Sequence, residues 1–296
     1  MSTKIEWCEE TWNPVVGCSH CSPGCDNCYA ERMANRLAGI ALKSRNRNIV
    51  TKGIGRYISV IGPDKKWNGS TQFDEEENIH GEFYKPLRFE KPKKIFVVSM
   101  GDLFHQNNSF RNIDEIVKVQ YQASQHTYLW LTKHPDVMGC YIEERFGERG
   151  SPKNMWCGVT VCNQEEANYK IPILLQIPAS VLFISIEPML GQINLNSLTD
   201  KIDWVIVGGE SGPNARPMHP DWVRSIRYQC KDAGIPFLFK QWGDYCYPEQ
   251  MPEETYIEID RAVNLSTGEY NHCFRVGKKK SGRFLDGDIY DEYPIV

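Results

Sequence analysis

Four cysteines fall within eleven residues of this chain: Cys18, Cys21, Cys25 and Cys28, in the stretch Gly17-Cys18-Ser19-His20-Cys21-Ser22-Pro23-Gly24-Cys25-Asp26-Asn27-Cys28-Tyr29. Cys21, Cys25 and Cys28 have the spacing C-x3-C-x2-C. Three thiolates this close, on a loop shaped by Pro23-Gly24, can each hold one iron of a [4Fe–4S] cluster and leave the fourth iron open to a ligand. The same four cysteines, with His20 beside them, also make a zinc set, although zinc usually draws on two separated pairs or a Cys/His set. Both metals stay open on spacing alone. The remaining seven of the 11 cysteines are scattered; Cys157, Cys162 and Cys230 read as small core residues, and no second set of three is spaced for another cluster.

The rest of the chain must position that loop. With 34 Lys+Arg against 38 Asp+Glu the net charge is −4, which argues against a protein dominated by nonspecific phosphate binding but leaves room for a local basic patch. Hydrophobic residues at 41% and charged residues at 24% exclude disordered and fibrous classes. No apolar run approaches the roughly 18–20 residues of a membrane span, and Met1–Trp7 lacks the apolar core of a signal peptide. A soluble, cytoplasmic protein is expected, and clustered cysteines in a reducing compartment point to metal rather than disulfides.

Six continuous apolar runs read as strands buried on both faces: 95–100, 127–132, 155–161, 181–187, 204–208 and 236–241. Residues 13–17 are a candidate seventh. Helical patterns lie between them at 29–37, directly after Cys28, and at 112–125, 163–176 (broken at Pro172) and 221–233, the last with Asp221 as N-cap and Gly234 as stop. Strand alternating with helix predicts an α/β fold, a parallel (β/α) partial barrel of six to seven strands over residues 1–243. Residues 41–94 read as a polar insertion, and 244–296 as a C-terminal extension with a β-hairpin, 256–259 against 271–276.

The cysteine spacing, on the N-terminal side of such an architecture and followed by a helix, resembles the radical S-adenosylmethionine (SAM) superfamily. More narrowly, the chain resembles the phage Gp37/Gp68 family, a radical SAM-like group. The matching stretches are TWNPVVGCSHCSPGCDNCYAERM (11–33), SMGDLFH (99–105), LTKHPDVM (131–138), GVTVCNQ (158–164), IEPMLGQI (186–193), WVIVGGESGPNARPMHPDWV (204–223), FKQWG (239–243) and RVGKKKSGRFLDG (275–287). The family's more frequent motif is C-x6-C-x2-C, which maps to Cys18, Cys25 and Cys28, with an apolar residue in the place of Cys21. The third ligand is therefore Cys18 or Cys21, and the closer family favours Cys18.

The resemblance implies a [4Fe–4S] cluster whose open iron chelates SAM, with one electron cleaving the sulfonium to a 5′-deoxyadenosyl radical that abstracts hydrogen from a substrate carbon. It also implies an electron donor such as flavodoxin or ferredoxin. Parallel barrels place their sites at C-terminal strand ends, so the candidate cofactor contacts are Ser99, Gly101 and Asp102, then Lys133 for the cofactor carboxylate, Thr160 for the ribose and Trp242 as a stacking face. The blander alternatives are a helix cap for Asp102, a solvated surface for Lys133 and a core hydroxyl for Thr160. Glu187 and Glu210, carboxylates ending consecutive buried strands, and Lys240 are the candidate catalytic groups. His105 and His219 read as structural.

The substrate is less legible. Lys278, Lys279, Lys280 and Arg283 form a basic run between Phe274 and Phe284, a candidate nucleic-acid contact or a solvated loop. Together with the phage resemblance, this favours an isomerase- or lyase-type reaction on a nucleobase, thymidine hypermodification in phage DNA, with DNA or a nucleotide as substrate. The alternatives are radical modification of a small metabolite or peptide, and a non-enzymatic zinc-stabilised nucleic-acid-binding protein.

Overall fold

The computed structural model describes residues 3, 5–44, 53–74, 81–195, 201–251, 253 and 273–295. Its strands are β1 (Glu10–Trp12), β2 (Val15–Val16), β3 (Gln72–Phe73), β4 (Lys94–Val97), β5 (Thr127–Thr132), β6 (Met155–Thr160), β7 (Leu182–Ile186), β8 (Trp204–Gly208), β9 (Phe237–Gln241), β10 (Tyr245–Cys246) and β11 (Phe274–Arg275). Its helices are α1 (Tyr29–Lys43), α2 (Arg56–Val60), α3 (Phe110–Gln122), α4 (Pro135–Phe146), α5 (Gln164–Leu174), α6 (Pro220–Ala233) and α7 (Lys278–Ser281).

Seven strands form one sheet in the order β1-β4-β5-β6-β7-β8-β9. The pairs β1–β4, β4–β5, β5–β6, β7–β8 and β8–β9 are parallel. Neighbours in chain order, joined through described helices at every crossover but β7–β8, give the topology of a (β/α) partial barrel, the expected class. All six apolar runs are strands, and β6, β7 and β8 are buried at every residue, as two covered faces require. Among the described residues no helix is long and apolar enough to cross a membrane.

Three expectations are corrected. The seventh strand is Glu10–Trp12, not 13–17; Val15–Val16 instead pairs antiparallel with Gln72–Phe73. Helix α6 is capped by His219, whose Nδ1 accepts from the Asp221 N–H at 3.2 Å, with Pro220 in the first turn where its missing N–H costs nothing. Gly234 does end it, in the left-handed conformation at φ 69°. Helix α5 continues through Pro172, which sits near its end. Of the expected hairpin, the arm 256–259 lies outside the described residues, and Phe274–Arg275 pairs with Tyr245–Cys246.

The chain divides into two compact units, Met1–Val159 with Ile173–Leu182, and Thr160–Pro172 with Phe183–Val296. In the first, α1 turns Ala30, Ala34 and Ala38 onto Val16, Tyr57, Val60, Trp67 and Met100, and Cys18 and Cys28 lean on the same apolar group. In the second, the C-terminal segment returns along β9. The Phe239 N–H donates to Tyr290 O at 3.0 Å, and Trp204 Nε1 donates to Glu292 O at 2.8 Å.

Candidate functional site

All four cysteines belong to the first unit, on the loop between β2 and α1. Its shape is set locally. Ser22 Oγ accepts from the Gly24 N–H at 3.1 Å and opens a short 3-10 turn, Pro23–Cys25, after which the Cys28 N–H donates to Cys25 O at 3.2 Å. Cys28 stands directly before α1, where the Arg32 N–H reaches its carbonyl at 3.3 Å. Cys25 is buried, Cys18 and Cys28 are half-buried, and Cys21 is exposed.

The loop and its flanks are fixed to the segment after the C-terminal end of β4 by contacts whose residues are far apart in sequence. Gly17 bridges Gly101, its N–H donating to Met100 O at 3.2 Å. A Cβ on Gly101 would stand 2.6 Å from Gly17 O, and Gly17 itself has φ +103°, so both positions require glycine. Asn13 Oδ1 accepts from the Met100 N–H at 2.9 Å and from Ser99 Oγ at 3.2 Å, while Tyr29 donates to Ser99 O at 2.9 Å. On the far side, Ser19 Oγ meets His105 Nε2 at 2.8 Å. His105 Nδ1 accepts from the Asn107 N–H at 3.1 Å, so in the neutral ring Nε2 carries the proton and donates. Burial holds the His105 pKa below the ordinary histidine value, in keeping with that neutral form. The His134 ring stands edge-on to His105 at 6.2 Å. His20 pairs with buried Glu31 at 2.7 Å, and the same oxygen accepts from the Trp67 N–H at 2.8 Å.

Asp102 is a buried strut. Oδ1 accepts from the Thr132 hydroxyl at 2.6 Å and from the Phe104 N–H at 3.0 Å, and Oδ2 accepts from the Lys133 N–H at 3.0 Å. The alternative that Asp102 caps the next helix is not seen, since Ser109 caps α3. Burial works against the charge of Lys133, and the charges of Cys25, Cys28, Cys18 and Cys21 favour it, so its pKa is raised above the ordinary lysine value.

The donor set is coupled electrostatically. The Cys21 thiol donates a hydrogen bond to Cys25, which lowers the Cys25 pKa against the opposing effect of burial, with Lys133 assisting. The same bond, then burial, raises Cys21. Burial, then the Asp102 charge, raises Cys18. Among the described residues no three His, Cys, Asp or Glu side chains converge as a single metal ion needs. A four-iron cluster asks for one thiolate per iron rather than several on one point, and thiols grouped on one loop suit that demand.

The remaining candidates belong to the second unit. Glu187, just past β7, pairs through Oε1 with Lys240 of β9 at 2.7 Å, and Ser185 Oγ donates to its Oε2 at 3.0 Å. Thr160 ends β6 and is buried; its carbonyl accepts from Lys170 Nζ at 3.3 Å. Glu210 was expected to open onto a site mouth. It is buried, and Arg216 takes both its oxygens, with Nη2 at 2.7 Å from Oε1 and Nε at 3.0 Å from Oε2. Trp242 was expected to present a stacking face. It is 1% exposed, donates from Nε1 to Phe284 O at 2.8 Å and lies edge-on to Phe239, so it is a core residue. Lys278, Lys279 and Lys280 are exposed on α7. Arg283 pairs with Asp291 and donates to Phe239 O at 3.1 Å, so its head is engaged.

Asn13, Ser19, Tyr29, His105 and His134 shape the loop's surroundings, yet sequence reading did not single them out for this, because each works through a partner 70 or more residues away or through another side chain. The Asn13-Pro14 pair before the cysteines is a local turn signal that could have pointed to Asn13.

The family model described as "Protein of unknown function (DUF5131)" matches residues 2–294. No curated protein matches the sequence. A solved structure of spore photoproduct lyase complexed with dinucleoside spore photoproduct is similar over 77% of this chain, at 11% identity and a TM-score of 0.39, and the match spans 62% of that protein's length.

Proposed function

The chain belongs to the DUF5131 family, and we propose that it is a radical SAM enzyme with a [4Fe–4S] cluster on the cysteine loop of its first unit. One observation carries this reading: four thiols on a single loop, fixed by the Gly17–Gly101 bridge and the Gly17 N–H to Met100 O bond to the segment that follows a parallel strand. Cys25 and Cys28 are ligands under either spacing. Cys18 is the third, since it leans with Cys28 on the apolar group behind the loop, whereas Cys21 is exposed and spare.

When bound, the cluster and SAM supply a carbon radical able to take hydrogen from an unactivated position. The chain's own contribution is positional. The Gly17–Gly101 approach and the Asp102 strut fix the loop; the Ser19–His105 bond holds its far side; the apolar residues behind Cys18 and Cys28 keep water away. In the second unit, the Glu187–Lys240 pair at the ends of β7 and β9 is the one predicted catalytic pair that keeps strand-end placement and partial exposure, and it would handle a proton or a polar substrate group.

The proposed substrate class is a nucleobase in DNA or a nucleotide, in keeping with the phage Gp37/Gp68 resemblance; exposed Lys278–Lys280 suit a phosphate backbone. The test is incubation of the reduced protein with SAM, with and without thymidine-containing DNA. The reading expects 5′-deoxyadenosine in both, more with DNA, and salt-sensitive DNA binding that weakens when the three lysines are neutralised. Deoxyadenosine release with no response to DNA would move the substrate to a small molecule or peptide.

A further inference from the structure

Among the described residues, four exposed large apolar side chains stand on α1, and no other helix carries more than one: Tyr29 is 49% exposed, Met33 43%, Ile40 42% and Leu42 70%. The inward face of α1 is already filled by Ala30, Ala34 and Ala38 against Val16, Tyr57 and Val60, so this second apolar set is not the core face of the helix. Tyr29, Met33, Arg36, Ile40 and Lys43 recur at alternating steps of four and three, which draws one stripe down the outside of the helix, with Leu42 off it. Arg36 and Lys43 are exposed, and half-buried Arg32 flanks them. The one acid of α1, Glu31, is buried and engaged by His20 and by the Trp67 N–H. The outer face of α1 is therefore apolar and cationic, without a carboxylate.

That composition suits an acidic protein. Aromatic residues, methionine and arginine are enriched at the centres of protein interfaces, and an apolar patch carrying charge of one sign favours a partner of the other. A phosphate backbone would use the cations and leave Met33 and Ile40 in water. The stripe also starts at the cysteine loop. Helix α1 begins directly after Cys28, whose carbonyl accepts from the Arg32 N–H at 3.3 Å. Met33 lies only about 6 Å further along the helix axis than Tyr29, from the rise per residue of an α-helix. A protein seated on the first two turns is thus beside a cluster ligand.

We propose that the outer stripe of α1 docks an acidic one-electron carrier protein that reduces the cysteine-bound cluster. This rests on the iron–sulfur reading above. One electron leaves the reduced carrier and enters the cluster. The carrier is oxidised by one electron, the cluster is reduced by one, and no bond is made or broken.

The test compares anaerobically purified wild type, Arg36→Glu and the double variant Met33→Ser/Arg36→Glu, with Lys153→Glu as a control at an exposed cation elsewhere in the first unit. Cluster reduction is followed by the loss of visible absorbance with reduced flavodoxin, with reduced ferredoxin and with dithionite, which needs no docking face. At least one protein donor is expected to reduce wild type, faster at low salt than at high salt. With that donor Arg36→Glu should be reduced tenfold or more slowly, the double variant more slowly still, and Lys153→Glu within twofold of wild type. Dithionite should reduce all four proteins within twofold of one another. Equal rates for wild type and Arg36→Glu with the protein donors overturn the proposal, as does reduction of wild type by dithionite but by neither protein. An equal loss with dithionite overturns it in favour of a structural role for these side chains. Unchanged protein-donor rates with weakened DNA binding, or with a wild-type dimer that the variants dissolve, would give the stripe to nucleic acid or to a second copy instead. Wild type without iron and sulfide would sink the iron–sulfur reading itself, a failure visible before any variant is compared.

Discussion

Asp102 separates a strut from a cofactor ligand, and the two roles predict different losses. Replacing it with asparagine preserves shape but leaves one oxygen. If that oxygen stays with Thr132 and Phe104, the new amide NH2 faces the Lys133 N–H, donor against donor, where Oδ2 now accepts at 3.0 Å. Hydrogen bonds to a charged acceptor contribute about 1.5–3 kcal/mol, and a buried unpaired donor costs about 1–3 kcal/mol. We therefore expect Asp102→Asn to lose about 2 kcal/mol, and Asp102→Ala about 4 kcal/mol, because both N–H groups are then orphaned at a site only 5% exposed. At about 2–4 °C per kcal/mol for a unit of this size, the asparagine variant should melt about 4–8 °C below wild type. The assay is thermal unfolding followed by tryptophan fluorescence, since Trp130 packs on Phe104 at 5.5 Å beside the strut. A melting temperature within 1 °C of wild type, together with a tenfold loss of SAM affinity, would refute the strut and make Asp102 a cofactor contact.

Gly101→Ala places a methyl against the backbone of Gly17, which has no flexible atom to move aside; overpacking of this kind costs about 1–3 kcal/mol, and the variant should retain less than half the wild-type iron while its far-ultraviolet circular dichroism is unchanged. The neutral His105 gives the first unit a pH dependence. Because burial lowers its folded pKa below the ordinary value of 6.5, its contribution is complete above that value and is lost as pH falls through it toward the folded pKa. Between pH 7.5 and 5.5 wild type should therefore lose more thermal stability than His105→Gln, and parallel pH profiles would count against the His105–Ser19 latch. Asp286 works in the same sense at lower pH. Arg224 holds its carboxyl below the usual 3.8, so Asp286→Asn should cost less than about 1 kcal/mol at neutral pH, as expected of a part-exposed pair, with the difference vanishing as acid protonates the wild-type carboxyl in a urea titration.

What could be read from the sequence follows from how local each signal is. The buried strands announce themselves because a parallel sheet covered on both faces needs unbroken apolar runs, as in Leu182–Ile186 and Trp204–Gly208. Helix α6 was legible from its apolar stripe and Gly234. Helix α4 was passed over because its apolar face is weak, although Pro135 at its start and Gly147 at its end are the usual boundary marks. The edge strand Glu10–Trp12 has only three residues, too few to show a period, and the apolar Val15–Val16 drew the eye instead. At the candidate site, the cysteine loop was legible because residue types and spacing are local facts. The fates of Glu210 and Trp242 were not, because each depends on a partner the sequence does not place beside it: Arg216 across a turn for Glu210, and the Phe284 carbonyl for Trp242. A carboxylate or an indole at a strand end reads the same whether it faces a ligand or a neighbour.

The central claim is that the loop holds iron and sulfide, and the direct measurement is the iron, sulfide and zinc content of protein purified without air, for wild type and for single alanine variants of Cys18, Cys21, Cys25 and Cys28. The account predicts about four irons and four sulfides per chain in wild type, loss in the Cys18, Cys25 and Cys28 variants, and retention in the Cys21 variant. One zinc per chain, no sulfide, and zinc loss in all four variants would contradict it.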